Sequence, residues 1–168
     1  FNAYITPEVE DLIALLRRMG AAISISGTSH IVVDGNSGKL AGARMPVMPD
    51  RIEALTWIVY AILSKGEVTI DGVPFDAMEV PLLHLRHAGI DLLRNSRAIH
   101  VTPECLVSGV VQPFELACGA HPGVISDMQA FYVMLALGAA GTSRVFDYRY
   151  PERIAFVGEL AKLVAGDH

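Results

Sequence analysis

A unit repeats along this chain, and the repeat limits the folds open to it. Leu85-Arg86-His87-Ala88-Gly89 restates the sense of Leu16-Arg17-Arg18-Met19-Gly20 about 69 residues later. The apolar helix pattern that ends at Lys65-Gly66 returns in one ending at Ala140-Gly141, 75 residues on. Each unit reads strand, helix, strand, helix, hairpin. The chain then holds the last half of one unit (to Asp34), one full unit (about 44 to 102) and most of another (114 to 168). Strands alternating with helices point to an α/β fold. An incomplete unit at each end would leave sheet edges without partners, so the pattern predicts a piece of a longer protein. Phe in place of Met at position 1 agrees with that expectation.

Local signals place the elements. Thr6 can cap a helix that Pro7 opens, Glu8, Glu10 and Asp11 suit its positive end, and Gly20 stops it. Val9, Leu12, Ile13, Leu16 and Met19 form its apolar face. Ala22 to Ser26 and His30 to Asp34 read as a hairpin around Gly27-Thr28-Ser29, with His30 an outward strand residue. A connector from 35 to 46, rich in Gly, follows. Arg44 to Met48 is expected as a strand, and Asp50 as the cap of a helix whose core face includes Ile52, Leu55, Val59, Ile62 and Leu63. Trp57, the only tryptophan, is expected in a core or an interface. Glu67 to Asp71 reads as a strand and Ala77 to Ala88 as a helix carrying solvated His84 and Arg86. Ile90 to Leu93 pairs with Ala98 to Val101 in a second hairpin. Ser126 is the expected N-cap of a helix presenting Met128, Phe131, Tyr132, Leu135 and Leu137, with Gly138 and Gly141 marking its end. A strand from Thr142 to Asp147 leads to a helix opened by Pro151.

Composition removes several classes of function. A net charge of −5, without a run of Lys or Arg, argues against a nucleic-acid surface. No apolar stretch is long enough to span a bilayer, and Phe1-Asn2-Ala3-Tyr4 lacks the marks of a signal peptide. Cys105 and Cys118 make no metal-binding or redox motif, and read as reduced structural thiols of a cytoplasmic protein. Hydrophobic residues are 52% of the chain, enough for a folded core without a metal or a disulfide.

Asp127 falls at one helix start and Arg153 at the next, both at βα turns, where ligands of α/β folds gather. Alone, such residues are most often a cap and a solvated surface arginine. His121-Pro122, Asp127-Met128-Gln129-Ala130, Gly141-Thr142 and Arg153, in that order, resemble a segment of the enolpyruvyltransferases. Pro49-Asp50-Arg51-Ile52-Glu53-Ala54, Pro7-Glu8-Val9 and Leu16-Arg17-Arg18-Met19-Gly20-Ala21 extend the similarity over nearly the whole chain. It is strongest to the branch that acts on UDP-N-acetylglucosamine.

The resemblance implies a fold of two domains, each of three βαβαββ units around buried helices, an inside-out barrel. Residues 1–46 would end one domain, and 47–168 would supply two units of the other, the second incomplete, with the hinge between. About 180 residues would precede Phe1 and about 80 would follow His168. The implied reaction moves the enolpyruvyl group of phosphoenolpyruvate to the 3-hydroxyl of UDP-N-acetylglucosamine, releases phosphate and starts peptidoglycan synthesis. It needs no cofactor or metal. Asp127 matches the family's proposed base beside the acceptor hydroxyl, and Arg153 an arginine of the phosphoenolpyruvate and phosphate cluster. Arg149 stands where the family has a small apolar residue that touches the nucleotide, and Glu152 where it has Asn. Neutral drift explains such departures, and the runner-up reading they leave is a paralogue acting on another nucleotide in secondary metabolism. A catalytically silent βα-repeat binding module is the reading from another class. The family's catalytic-loop cysteine, Lys-Asn pair and distal arginines lie outside the matched segment, so the chain alone is expected to be inactive.

Overall fold

The repeat is visible in how two helices end. The computed structural model describes residues 1–35 and 38–164; Asn36 and Ser37 of the connector, and residues 165–168 of the last unit, lie outside the described residues. Helix α1 spans Pro7–Arg18, capped by the Thr6 hydroxyl, which accepts from the Val9 N–H at 3.4 Å. After it Gly20 takes φ +97°, the Gly20 N–H donates to Arg17 O and the Ala21 N–H to Leu16 O. Helix α3, Phe75–His87, closes with the same pair of bonds at the repeat spacing. Gly89 sits at φ +77° and donates to Arg86 O, and Ile90 donates to Leu85 O. The left-handed residue lets the chain reverse while the last carbonyls stay bonded.

Each of these helices feeds an antiparallel hairpin. The first joins β1 (Ala22–Ser26) to β2 (His30–Asp34), Ile23 opposite Val33. His30 lies half-buried on β2 with its ring stacked on Phe1. The second joins β4 (Leu93–Arg94) to β5 (Ala98–Val101), and the Asn95 side chain shapes its turn by accepting from the Arg97 and Ala98 N–H groups at 2.7 Å. Strand β4 is shorter than the expected run from Ile90, because Ile90 turns into the core and bridges Leu106.

Helix α2 (Arg51–Ser64) begins at Asp50, whose Oδ1 accepts from the Ile52 and Glu53 N–H groups at 2.7 and 3.2 Å. Its C-cap is Lys65, left-handed at φ +52°, rather than Gly66. Strand β3 (Val68–Asp71) pairs with β5, giving the order β3-β5-β4. Strands β6 (Glu115–Cys118) and β7 (Arg144–Asp147) are parallel, with α4 (Gln129–Leu137) as their crossover. A single 3-10 turn, Pro151–Ala155, leads into α5, Phe156–Val164.

The core lies between α2, α3, α4 and the strands, and includes Leu55, Ile58, Met78, Leu85, Ile99, Leu116, Met128 and Leu135. Tyr132 is buried with them and donates its hydroxyl to Pro81 O at 2.7 Å, which satisfies the one polar atom it brings inside.

Five expectations are corrected or narrowed. Residues Arg44 to Met48 form no strand: Arg44 O accepts from Arg18 and the Met48 N–H donates to Asp11 Oδ2, so α1 takes bonds that a sheet partner would have made. Trp57 is 46% exposed and meets Tyr60 edge-on, which rules out the core, one of its two expected places. Leu12, Leu63 and Leu137, expected on covered faces, are exposed as well. A helical period fixes the direction of a face, not whether another element covers it. Ser126 is not an N-cap: it opens a 3-10 turn, Ser126–Met128, without a capping bond from its side chain, because Asp147 engages its hydroxyl. His84, expected in solvent, is half-buried against His87.

Candidate active site

A cleft of about 760 Å³ opens at the C-terminal ends of the parallel strands β6 and β7. One wall is α1 with Tyr4 and Thr6; segment 45–50 and the start of α2 form the floor. The loops after β6 and β7 supply His121, Asp127, Arg149, Tyr150 and Arg153. Peptide dipoles and the two turns at such strand ends turn backbone and side-chain polar groups toward one space.

All three residues singled out from sequence meet there. Asp127, in the turn before α4, is paired with Arg153, in the turn before α5, by an Nη1 to Oδ1 contact of 2.5 Å. Both side chains are about half exposed, so the pair is open to an incoming ligand. Arg153 also lies over the Tyr150 ring, 4.6 Å from its centroid. Arg149 covers the same ring at 5.4 Å and donates from Nε to the Tyr150 hydroxyl, while its guanidinium lies 4.3 Å from the Tyr4 centroid. Two guanidinium groups thus share one aromatic ring, whose negative faces offset their mutual repulsion.

Two buried polar groups beneath this surface escaped sequence reasoning. Asp147 ends β7, 9% exposed, and accepts hydrogen bonds from the Ser126 hydroxyl and Gln129 amide and from the Arg149 and Tyr150 N–H groups. Burial opposes its charge, but these donors prevail and hold the carboxyl below the ordinary range. The signal available was a strand-final Asp, a residue whose side chain readily accepts from its own backbone two residues on in an Asx turn. Arg51 is 1% exposed. It makes a bidentate pair with Glu8 of α1, at 2.7 and 3.0 Å, and its Nη1 lies 3.1 Å from His121 Nδ1. A guanidinium only donates, so Nδ1 is the acceptor and the proton of neutral His121 resides on Nε2.

Burial, and then the charge of Arg51, lower the His121 pKa. A histidine depressed in the folded state contributes stability that is present above its unfolded value, about 6.5, and lost as pH falls through the folded one. The melting temperature should therefore fall as pH drops below about 7. His121→Asn, whose amide oxygen can still accept from Arg51, should show a flatter fall; curves parallel to wild type would refute the contact.

Among the described residues no cluster of His, Cys, Asp and Glu could hold a metal ion, and no helix is long and apolar enough to cross a membrane. Burial, with a smaller contribution from Asp147, pushes the Cys118 thiol up to about 12, and burial also raises Cys105. Neither supplies a thiolate nucleophile.

Residues 2–166 match the family described as EPSP synthase (3-phosphoshikimate 1-carboxyvinyltransferase). A UDP-N-acetylglucosamine 1-carboxyvinyltransferase from Methylacidiphilum infernorum is 36% identical over 95% of this chain and 37% of its own length. One from Azorhizobium caulinodans is 37% identical over 99% of this chain and 38% of its own. Among solved structures, the enolpyruvyl transferase NikO from Streptomyces tendae superposes with a TM-score of 0.80 at 25% identity, over 96% of this chain and 38% of that one. The chain therefore spans less than two-fifths of the length of these relatives. Sequence match and superposed fold agree over nearly every residue, and the chain belongs to the EPSP synthase family.

Proposed function

We propose that the full-length protein carrying this chain is an enolpyruvyltransferase, moving the enolpyruvyl group of phosphoenolpyruvate to the 3-hydroxyl of UDP-N-acetylglucosamine. The observation that carries the reading is the Asp127–Arg153 pair at two adjacent βα mouths inside one cleft. The named relatives supply the acceptor. The acceptor oxygen bonds to C2 of phosphoenolpyruvate as its proton passes to Asp127 and C3 gains a proton. The C2–O bond to phosphate then breaks, C3 returns a proton, and the enol ether remains. Arg153 is the cation for the phosphate and carboxylate oxygens, where its planar fork suits either anion. Asp127 is the general base. Residues outside this chain supply the acid for C3 and further cations. In this reading the protein works in the bacterial cytoplasm, in cell-wall synthesis and so in cell shape and the cell cycle. It takes no cofactor, nucleic acid or membrane as partner.

The division into domains belongs to the same proposal. Residues 1–46 close one domain and 47–168 supply two units of the other. Support comes from the separate β1–β2 sheet and from the lack of regular elements in the described part of the connector.

Arg149 favours a second reading, a paralogue that accepts a different nucleotide. Its guanidinium stands in the cleft at the position where the family usually has a small apolar side chain. Phosphate release from phosphoenolpyruvate, measured with the full-length protein against UDP-N-acetylglucosamine and other uridine nucleotides, separates the two. The 168-residue chain alone is expected to release none. Absence of release by the full-length protein with every acceptor would leave the silent binding module.

A further inference from the structure

We propose that Asp147 is a positioning residue of this site, the buried anchor that sets Arg153 and Tyr150 against Asp127. The inference rests on the enolpyruvyltransferase reading above. Asp147 Oδ1 gathers three donors: the Tyr150 N–H at 2.8 Å, the Arg149 N–H at 2.9 Å and the Ser126 hydroxyl at 3.0 Å. Its Oδ2 accepts from Gln129 Nε2 at 3.3 Å. Ser126 and Gln129 bracket Asp127 in sequence, one residue before it and two after. Arg149 and Tyr150 open the loop that carries Arg153. One carboxylate therefore holds both chain segments whose side chains meet in the cleft.

The cleft side of the site has no comparable constraint. Asp127 and Arg153 are half exposed, and an exposed ion pair contributes little to fixing two long side chains. Their placement is inherited from the backbone beneath them. Tyr150 transmits it further, because its ring carries the guanidinium groups of both Arg149 and Arg153. A shift of about 1 Å in such a support costs on the order of 10²-fold in rate. Asn at 147 keeps the oxygen that accepts the three Oδ1 bonds, and the Gln129 amide can rotate to present its oxygen to the new NH₂. Ala removes all four bonds.

The test uses the full-length protein and steady-state kinetics, with folding checked by circular dichroism at the assay temperature. Asp147→Ala should lower kcat/KM for phosphoenolpyruvate by about 10²-fold while nucleotide affinity stays within about threefold. Asp147→Asn should restore most of the loss, a rescue that a general loss of stability would not give. Folded Asp147→Ala with wild-type kcat/KM, or an equal loss in nucleotide affinity, overturns the proposal. If Asp147→Ala does not fold, the double variant Ser126→Ala, Gln129→Leu carries the test by removing only the bonds that flank Asp127. It should lose about tenfold, and unchanged kinetics would overturn the role. A wild-type protein without turnover defeats the reading of function and not this inference. In that case inorganic phosphate is titrated and the arginine Nε–H resonances are followed by NMR. A phosphate-dependent shift of the Arg153 signal should be lost in Asp147→Ala, and a shift kept at wild-type size overturns the role.

Discussion

Asp127→Asn in the full-length protein is expected to lower turnover by about 10²–10⁴-fold, the usual share of general-base assistance. Asn keeps the shape of the side chain and removes its charge and basicity. Nucleotide affinity should change much less, since Asn still presents an oxygen to the acceptor. The structure removes one alternative explanation: Asp127 makes no capping bond to α4, which begins at Gln129 without a side-chain cap. A stability effect is therefore expected to be small, and the 46% exposed Arg153 can turn to water when its partner becomes neutral. Arg153→Ala should behave differently. It removes a cation from the anion site, so phosphoenolpyruvate binding and turnover should weaken together, with partial rescue by Lys, which lacks the fork. Steady-state kinetics on both variants decide the matter; near-normal turnover for Asp127→Asn would remove the base from the proposed mechanism.

Glu8→Leu should be the most damaging single change to stability among the charged residues of the cleft. It leaves the Arg51 guanidinium, whose side chain is only 2% exposed, with His121 as its remaining side-chain partner. Breaking a buried pair from one side costs about 3–5 kcal/mol, because a desolvated charge is left behind. Glu8 is 49% exposed and water can enter when it goes, which favours the lower end, about 3 kcal/mol. For a chain of this size that lowers the melting temperature by roughly 6–12 °C. Arg51→Met added to Glu8→Leu should recover most of the loss, since apolar groups of similar volume replace the pair without a stranded charge. Thermal melts of both single variants and the double give the coupling directly. A Glu8→Leu melt within about 2 °C of wild type would show that the pair contributes little. The same contact bears on the cleft, because it ties α1 to the loop that carries His121 toward Asp127.

Legibility followed the range of the interaction. Thr6 and Asp50 cap their helices through bonds to residues two or three positions on, and both were readable from residue type. The stops at Gly20 and Gly89 were readable because a left-handed turn after a helix selects glycine. Ser126 looked as suitable a cap as Thr6. It was misread because Asp147, 21 residues later, competes for its hydroxyl, and no local pattern registers a competitor at that distance.

The site shows the same division. Its three candidate residues came from a pattern shared with a family, and the fold does bring Asp127, Arg149 and Arg153 to one cleft. What lies beneath them came only from the tertiary structure. Arg51 meets Glu8 across 43 residues and His121 across 70. The sequence by itself determined the repeated units, the helix stops and most of the order of strands and helices, because each rests on bonds within a few residues or on a period. Only the tertiary structure decided which face of α2 is covered, that Arg44 to Met48 bonds to α1 instead of forming a strand, and that Asp147 joins the turns that carry Asp127 and Arg153. Those outcomes depend on which distant groups reach a polar atom first once the core has closed, and burial makes that choice costly to reverse.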